Sequence, residues 1–349
     1  MRHALAGWLL MLLASACGRE APATEAVRLR PVAVTSGDYL DQPTRMAVVG
    51  NRLVLLDRSA PMVHVFELPG LRHLGSFGTK GNGPGEFRHP TEVQNDPDNP
   101  KAFWIYDSGL VRMTQLEFVV DEASPKVLTV INIEPSPLTL YFQPVWLSES
   151  QFVATGIYPL GRLAVADQRG RRIGAIGDLP STRNGLNIPV TVLQHAYTGR
   201  LVVSPERARI ALVMRHADSV EIYRVDGTLL RKIQGGNGFG PVYEVRSSRE
   251  GVAMASGDDL RFGYVDLSCT SKYIFALYSG TSRGELPGRA VFGQQVQVFS
   301  WQGERLATFQ LPQRALSLAV DETGKQLIVL QHEPEPTLVR YPLPKTFTD

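Results

Sequence analysis

The chain has 349 residues, of which 43% are hydrophobic and 20% charged, and its 36 basic and 34 acidic side chains leave a formal net charge of +2. That near-balance excludes a nucleic-acid-coating protein and an acidic disordered tail, and the apolar fraction is ample for a buried core. With 32 Gly and 24 Pro, turns are frequent, which suits many short strands closed into one unit.

At the N-terminus, Met1-Arg2-His3 leads into an apolar run over 4–14 and then Ser15-Ala16-Cys17. A basic start, a short apolar stretch and small residues before a cut site describe a secretory signal over 1–16. The run is too short for a transmembrane helix, which needs about 20 apolar residues. Leu13-Ala14-Ser15-Ala16-Cys17 also resembles a bacterial lipobox, in which the cysteine thiol takes a diacylglyceryl group and the chain is cut before it. Cys17 is therefore the expected lipidation site and membrane anchor, with 17–26 as tether. Ala14 stands where the lipobox favours Leu, and Ala14-Ser15-Ala16 satisfies an ordinary cleavage site, which would give a soluble periplasmic or secreted protein instead. Gly18 after the cysteine, rather than Asp, points to the outer membrane. A disulfide from Cys17 to Cys269 would tie a flexible leader to a distant strand, so none is expected, and Cys269 reads as a small buried packing residue.

Beyond the tether, short runs with period-two alternation recur in groups. The runs 52–57 (RLVLLD), 62–68 and 72–78 form one group, and 101–107 (KAFWIYD), 112–118 and 126–133 form the next. A poorly patterned group spans 143–178, followed by 208–215, 219–226 and 229–234, and then by 273–279, 295–301 and 305–311. Gly, Asp, Asn or Pro bound most of these runs, which is strand chemistry, and no amphipathic helix stands out. Each group has a preceding strand, and the six begin near 44, 91, 143, 198, 263 and 315, in steps of 47, 52, 55, 65 and 52 residues. Four strands per roughly 50 residues is the period of a β-propeller. The sixth group supplies only three strands, and 27–35 (VRLRPVAVT) is otherwise unpartnered. The expected fold is therefore all-β: one six-bladed propeller over 27–349, its last blade completed by the N-terminal strand, which removes an open edge.

Phe77-Gly78-Thr79-Lys80-Gly81-Asn82-Gly83-Pro84-Gly85-Glu86-Phe87, then Pro90, and strands ending at Asp57 and Asp107 resemble the inter-blade signature of NHL-type and TolB-like propellers. Arg261-Phe262-Gly263-Tyr264, Lys272-Tyr273-Ile274-Phe275-Ala276-Leu277-Tyr278-Ser279-Gly280 and Val298-Phe299-Ser300-Trp301-Gln302-Gly303 resemble the TolB-like six-bladed propeller lipoproteins of Gram-negative bacteria. The resemblance implies a fold and an envelope address. It implies no activity. The glycine-rich loop reads as an inter-blade turn with Phe87 and Pro90 plugging a seam, since a phosphate loop needs GxxxxGK[ST] opening a helix.

In an up-and-down blade, the turns after the second strand and the blade-to-blade connections share one face. The longest segments (78–89, 177–196, 235–262 and 280–294) all fall in that class, which makes this face the expected binding face. Asp57, Arg58, Asp107, Ser108, Arg215, His216, Ser279 and His332 lie at its rim. Asp57 and Asp107 also fit turn-formers accepting backbone N–H bonds, and Arg215 and His216 fit solvated rim residues. His195 fits a loop or seam residue, while Trp104, Trp146 and Trp301 fit blade packing. There is no HxxxH, CxxC or DxDxDG pattern, and no catalytic residue, metal ligand or cofactor is assigned. The leading expectation is a lipid-anchored envelope binding or scaffold module for a protein, peptide or glycan. The alternative is a hydrolase or lyase at the tunnel mouth, using Asp57, Asp107, His216 and His332.

Overall fold

The computed structural model describes residues 26–36, 39–119, 124–134, 136, 139–179, 182–183, 186–248 and 251–348. The signal segment and Cys17 lie outside them. Four separate four-stranded antiparallel sheets form blades one to four, over 43–77, 90–132, 140–176 and 199–234. Blades five and six share one eight-stranded sheet, because Arg305–Asp321 runs without a break from the outer edge of blade five to the inner edge of blade six. Blade three, poorly patterned in sequence, is as regular as the others.

The strand Arg52–Asp57 shows why these sequences make blades. Leu53 and Leu55 pack towards blade six while Val54 and Leu56 pack towards blade two. A strand buried on both faces reads as a continuous apolar run, and strict alternation then divides it between two seams. One apolar cluster fills each of six seams. Phe87 and Phe103 lie between blades one and two, and Trp104 and Trp146 between two and three, with ring centroids 5.0 Å apart. Ile210 and Tyr223 lie between three and four, Tyr264 and Trp301 between four and five, and Phe309 and Val329 between five and six. Leu53 and Phe66 of blade one meet Ile328 and Leu338 of blade six in the last.

The glycine-rich connection follows its expected role. Gly78 has φ +85°, and a Cβ there would stand 2.9 Å from the ring of Phe87, which is fully buried in the first seam. Backbone that positive and that crowded requires glycine.

The structure corrects the sequence reading in three places. The N-terminal strand is divided: Val27–Arg28 pairs in parallel with Phe309 and Gln310 on blade five, and Ala33–Ser36 pairs antiparallel with Thr337–Arg340 as the outer strand of blade six. Second, Val190–Ala196 is an α-helix that buries Val192, Leu193 and Ala196. Its opening Val-Thr-Val is β-branched, which made it read as strand or loop. Third, the 235–262 connection contains a hairpin, Glu244–Ser248 with Gly251–Ala255.

Candidate functional site

The six innermost strands surround a tunnel. Five of them carry a β-bulge at an equivalent place, with Thr44, Thr91, Phe142, Val265 and Leu316 as the extra residues. Immediately after each stands a polar side chain: Arg45, Glu92, Gln143, Asp266 and Ser317; Arg200 occupies the corresponding place on the unbulged strand of blade four. A bulge bends its strand and re-aims neighbouring side chains, here towards the axis.

These six residues form a belt across the tunnel. Arg45 pairs with Asp266 at 3.1 Å, and Arg200 lies 3.5 Å from the same carboxylate through Nε. Arg200 also makes a two-pronged pair with Glu92, with Nη2 to Oε2 at 2.7 Å. Ser317 Oγ and the backbone N–H of Leu318 donate to Asp266, and Gln143 bonds both the N–H and the C=O of Leu201. Two arginines thus face two carboxylates with no net charge. Burial, followed by the charge of Arg200, lowers the Arg45 pKa; at Arg200 burial is outweighed by Glu92 and Asp266, and the pKa rises.

The belt separates two mouths. On the side of the first-to-second strand turns a cavity of about 500 Å³ reaches the belt, and half-buried Cys269 is part of its wall. Cys269 is therefore not fully buried as expected; burial still pushes its thiol up to about 12, which leaves it unreactive. The long-connection side has two adjoining cavities of about 740 and 830 Å³, which share Arg45, Phe142, Arg200 and Arg215.

A wall rises round half of that mouth. The 190–196 helix packs on blade three, where Gln194 bonds both the N–H and the C=O of Tyr158, and on the Gly251–Ala255 strand. Leu260 and Phe262 from the 235–262 connection pack with Ala290 from the 280–292 excursion. Arg289 pairs with Glu333 at 2.6 Å, tying that excursion to blade six.

The rim residues separate into two groups. Asp57 accepts the backbone N–H groups of Asp41, Gln42 and Ser59 at 2.8–3.0 Å. Asp107 does the same for Arg88, His89, Gly109 and Leu110. Both carboxylates are buried, and neither lines the two cavities. Ser279 Oγ donates to the C=O of Ala290 at 2.6 Å and so braces the excursion. Arg58, Ser108 and His332 line the 830 Å³ cavity, His216 lines the 740 Å³ cavity, and Arg215 lines both.

His216 is nine-tenths buried, not solvated, lies 5.2 Å from the Phe262 ring, and has no hydrogen-bond partner at Nδ1. Burial and then the Arg215 charge lower its pKa to about 4, so it is neutral at physiological pH. Arg215 is exposed yet has much protein around it. That crowding, then Arg45 and Arg200, lowers its pKa to about 10. His195 is exposed on the helix and faces the 740 Å³ cavity, rather than sitting in a seam. Among the described residues, no three His, Cys, Asp or Glu side chains gather closely enough to hold a metal ion. No helix among them is long and apolar enough to cross a membrane.

Sequence reading missed the belt. Its one local signal was the repeated Pro-Thr-charged triplet, Pro43-Thr44-Arg45 and Pro90-Thr91-Glu92, at the head of two inner strands.

The profile of the TolB-like 6-blade propeller-like family matches residues 25–323. The chain belongs to this family. Among solved structures, this TolB-like chain is similar to a member of the DUF4221 family from Bacteroides vulgatus, with a TM-score of 0.54 and 10% identity over 90% of this chain and 97% of that one. It is also similar to the β-propeller domain of Cps50 (Swd1) from Myceliophteria thermophila, with a TM-score of 0.50 and 8% identity over 90% of this chain and all of that one. Raptor from Chaetomium thermophilum matches 92% of the chain with a TM-score of 0.52 and 10% identity, but over only 29% of its own length. At such identities these likenesses speak for the fold alone. No curated protein sequence matches the TolB-like chain closely enough to count as a relative.

Proposed function

We propose that the chain is an exported binding module, tethered to the outer membrane through lipidated Cys17, that holds a protein, peptide or glycan at its long-connection mouth. Propellers commonly serve as protein-binding scaffolds, and fold alone assigns no chemistry. The observation that carries the reading is the walled mouth: two adjoining cavities of about 740 and 830 Å³ sit on the one face where the helix, the hairpin and the 280–292 excursion converge. Each is of the size that small-molecule and peptide-side-chain sites take. Asp57 and Asp107, two of the four groups an enzymatic site would have used, are saturated by backbone N–H donors.

The test is affinity capture from native envelope with the anchor intact, comparing the full chain with a variant in which 244–255 is replaced by a short Gly-Ser link. The variant is expected to keep its β circular dichroism and lose its partner. Unchanged capture removes the long-connection face from consideration. Metabolic labelling with an alkyne fatty acid tests the anchor, and Cys17→Ser is expected to abolish the label.

A further inference from the structure

The charges at the mouth do not cancel. In the belt, Arg45 and Arg200 are balanced by Asp266 and Glu92. Directly above them Arg215 adds a third guanidinium, with no hydrogen bond or ion pair among the described residues; its one close partner is the Phe262 ring at 5.8 Å. The walls of the 740 Å³ cavity hold Arg45, Arg200, Arg215 and Arg283 and no carboxylate. Arg283 is exposed at the rim and likewise unpaired among the described residues. The second cavity adds Arg58 and includes Glu92 alone among carboxylates, already held by Arg200.

Unpaired like charges in a concave, partly desolvated site repel one another and raise the free energy of the empty protein. Each buried charge of the belt has its counter-charge. A local conflict left at the focus of a cavity marks a place where a ligand supplies what is missing. Belt plus Arg215 leaves one positive charge, and a planar guanidinium presents paired N–H donors that match a carboxylate. Beside that charge the walls include the apolar side chains of Phe142, Ile157, Met254, Leu260 and Phe262. The site thus combines the Arg215 cation at its floor, with Arg283 further out at the rim, and room for an uncharged body.

We propose that the mouth binds an organic carboxylate with an apolar body, its carboxylate on Arg215 above the Arg45–Arg200 floor and its body against Phe142, Leu260 and Phe262. This deepens the reading of the long-connection mouth as the binding face and rests on it. The carboxylate can belong to a free small acid or to the C-terminus of a polypeptide, and two probe pairs distinguish these sources.

The experiment is calorimetric titration of the full mature chain at low salt with 1-naphthylacetate against 1-naphthylacetamide, and with acetyl-Ala-Ala-Phe as free acid against its amide. In at least one pair the acid is expected to bind tenfold or more tighter than the amide and to weaken as salt rises. A preference in the first pair assigns the ligand to small acids, and one in the second to chain ends. Arg215→Gln is expected to erase the preference, and Arg215→Lys, which keeps a point charge but not the fork, to retain part of it. Arg224→Gln, at the end of the third strand of blade four and outside both cavities, is the control and is expected to bind as the parent does. Arg215→Lys is expected to unfold at the parent's urea midpoint and Arg215→Gln, which relieves the repulsion, at the same midpoint or a higher one, so neither loses binding by unfolding. Equal affinity for acid and amide, binding of neither pair, or an undiminished preference in Arg215→Gln each overturns the proposal. Any of these with partner capture still lost on replacing 244–255 leaves the binding face standing and removes only the anion assignment.

Discussion

Asp57 and Asp107 do their work through geometry rather than charge display. Each ends the second strand of its blade, and each gathers N–H groups from the segment entering the first strand and from the turn that follows the second. Asp107 holds four such donors, two on each side. Asp107→Ala takes four N–H groups from their shared buried acceptor and is expected to cost about 3 kcal/mol, read as a lower urea midpoint with unchanged slope. Histidines set the acid limb of stability. Burial lowers the pKa of His64, and lowers that of His216 to about 4, against an unfolded value near 6.5. As pH falls below about 6.5 the unfolded chain takes up protons that the folded chain refuses, so the contribution is complete above that value and is lost progressively down to about pH 4. Urea midpoints are expected to fall between pH 7.5 and 5, and His216→Phe is expected to flatten that slope; an unaltered slope would locate the proton uptake elsewhere.

Most elements were readable because a blade's middle strands are buried on both faces, and double burial writes itself as runs such as 52–57 and 273–279. Turn chemistry then set their ends. The elements that sequence did not reveal are those whose fate depends on partners far along the chain. The helix 190–196 has a β-branched start and is held by Tyr158 and by the 251–255 strand, so tertiary packing decides it. Rim residues were placed from connectivity, but connectivity could not tell which side chains would be consumed by backbone N–H groups and which would face a cavity. The N-terminal segment was seen as a partner strand, yet its split between two blades follows from Leu29, which is 6% exposed in the seam of blades five and six. That residue pins the strap between its two pairings. Removing 27–36 withdraws one buried leucine and a four-residue ladder, and is expected to destabilise by about 4 kcal/mol. It also bares the Thr337–Pro342 edge, so light scattering on heating is expected to begin earlier than in the parent.

At the scale of the molecule, six blades arranged in a ring bring to one axis residues that lie more than two hundred positions apart in sequence. Arg45 and Asp266 are a pair only because the fold places the first and fifth inner strands across a tunnel, and no local pattern could announce it. The belt they form has two consequences. It spans the tunnel between the two mouths, with Arg45 and Arg200 lining the cavities on both sides. It also holds next-but-one inner strands, Glu92 of blade two against Arg200 of blade four, in a fixed relation beneath the site. Partly buried pairs of this kind resist the loss of one partner far more than the loss of both, because a lone charge cannot be resolvated. Glu92→Ala is accordingly expected to cost about 3 kcal/mol and Glu92→Leu with Arg200→Leu much less, as urea midpoints in a double-mutant cycle would record. The same cycle separates structure from recognition. Glu92→Ala frees a second guanidinium at the floor, so it is expected to bind 1-naphthylacetate more tightly than the parent even as it folds less stably. Arg200→Leu with Glu92→Leu removes equal and opposite charge and leaves Arg215 in place, so its preference for the acid over the amide is expected to survive. If acid binding instead followed stability through the cycle, the mouth would be responding to the rigidity of the ring rather than to its charge.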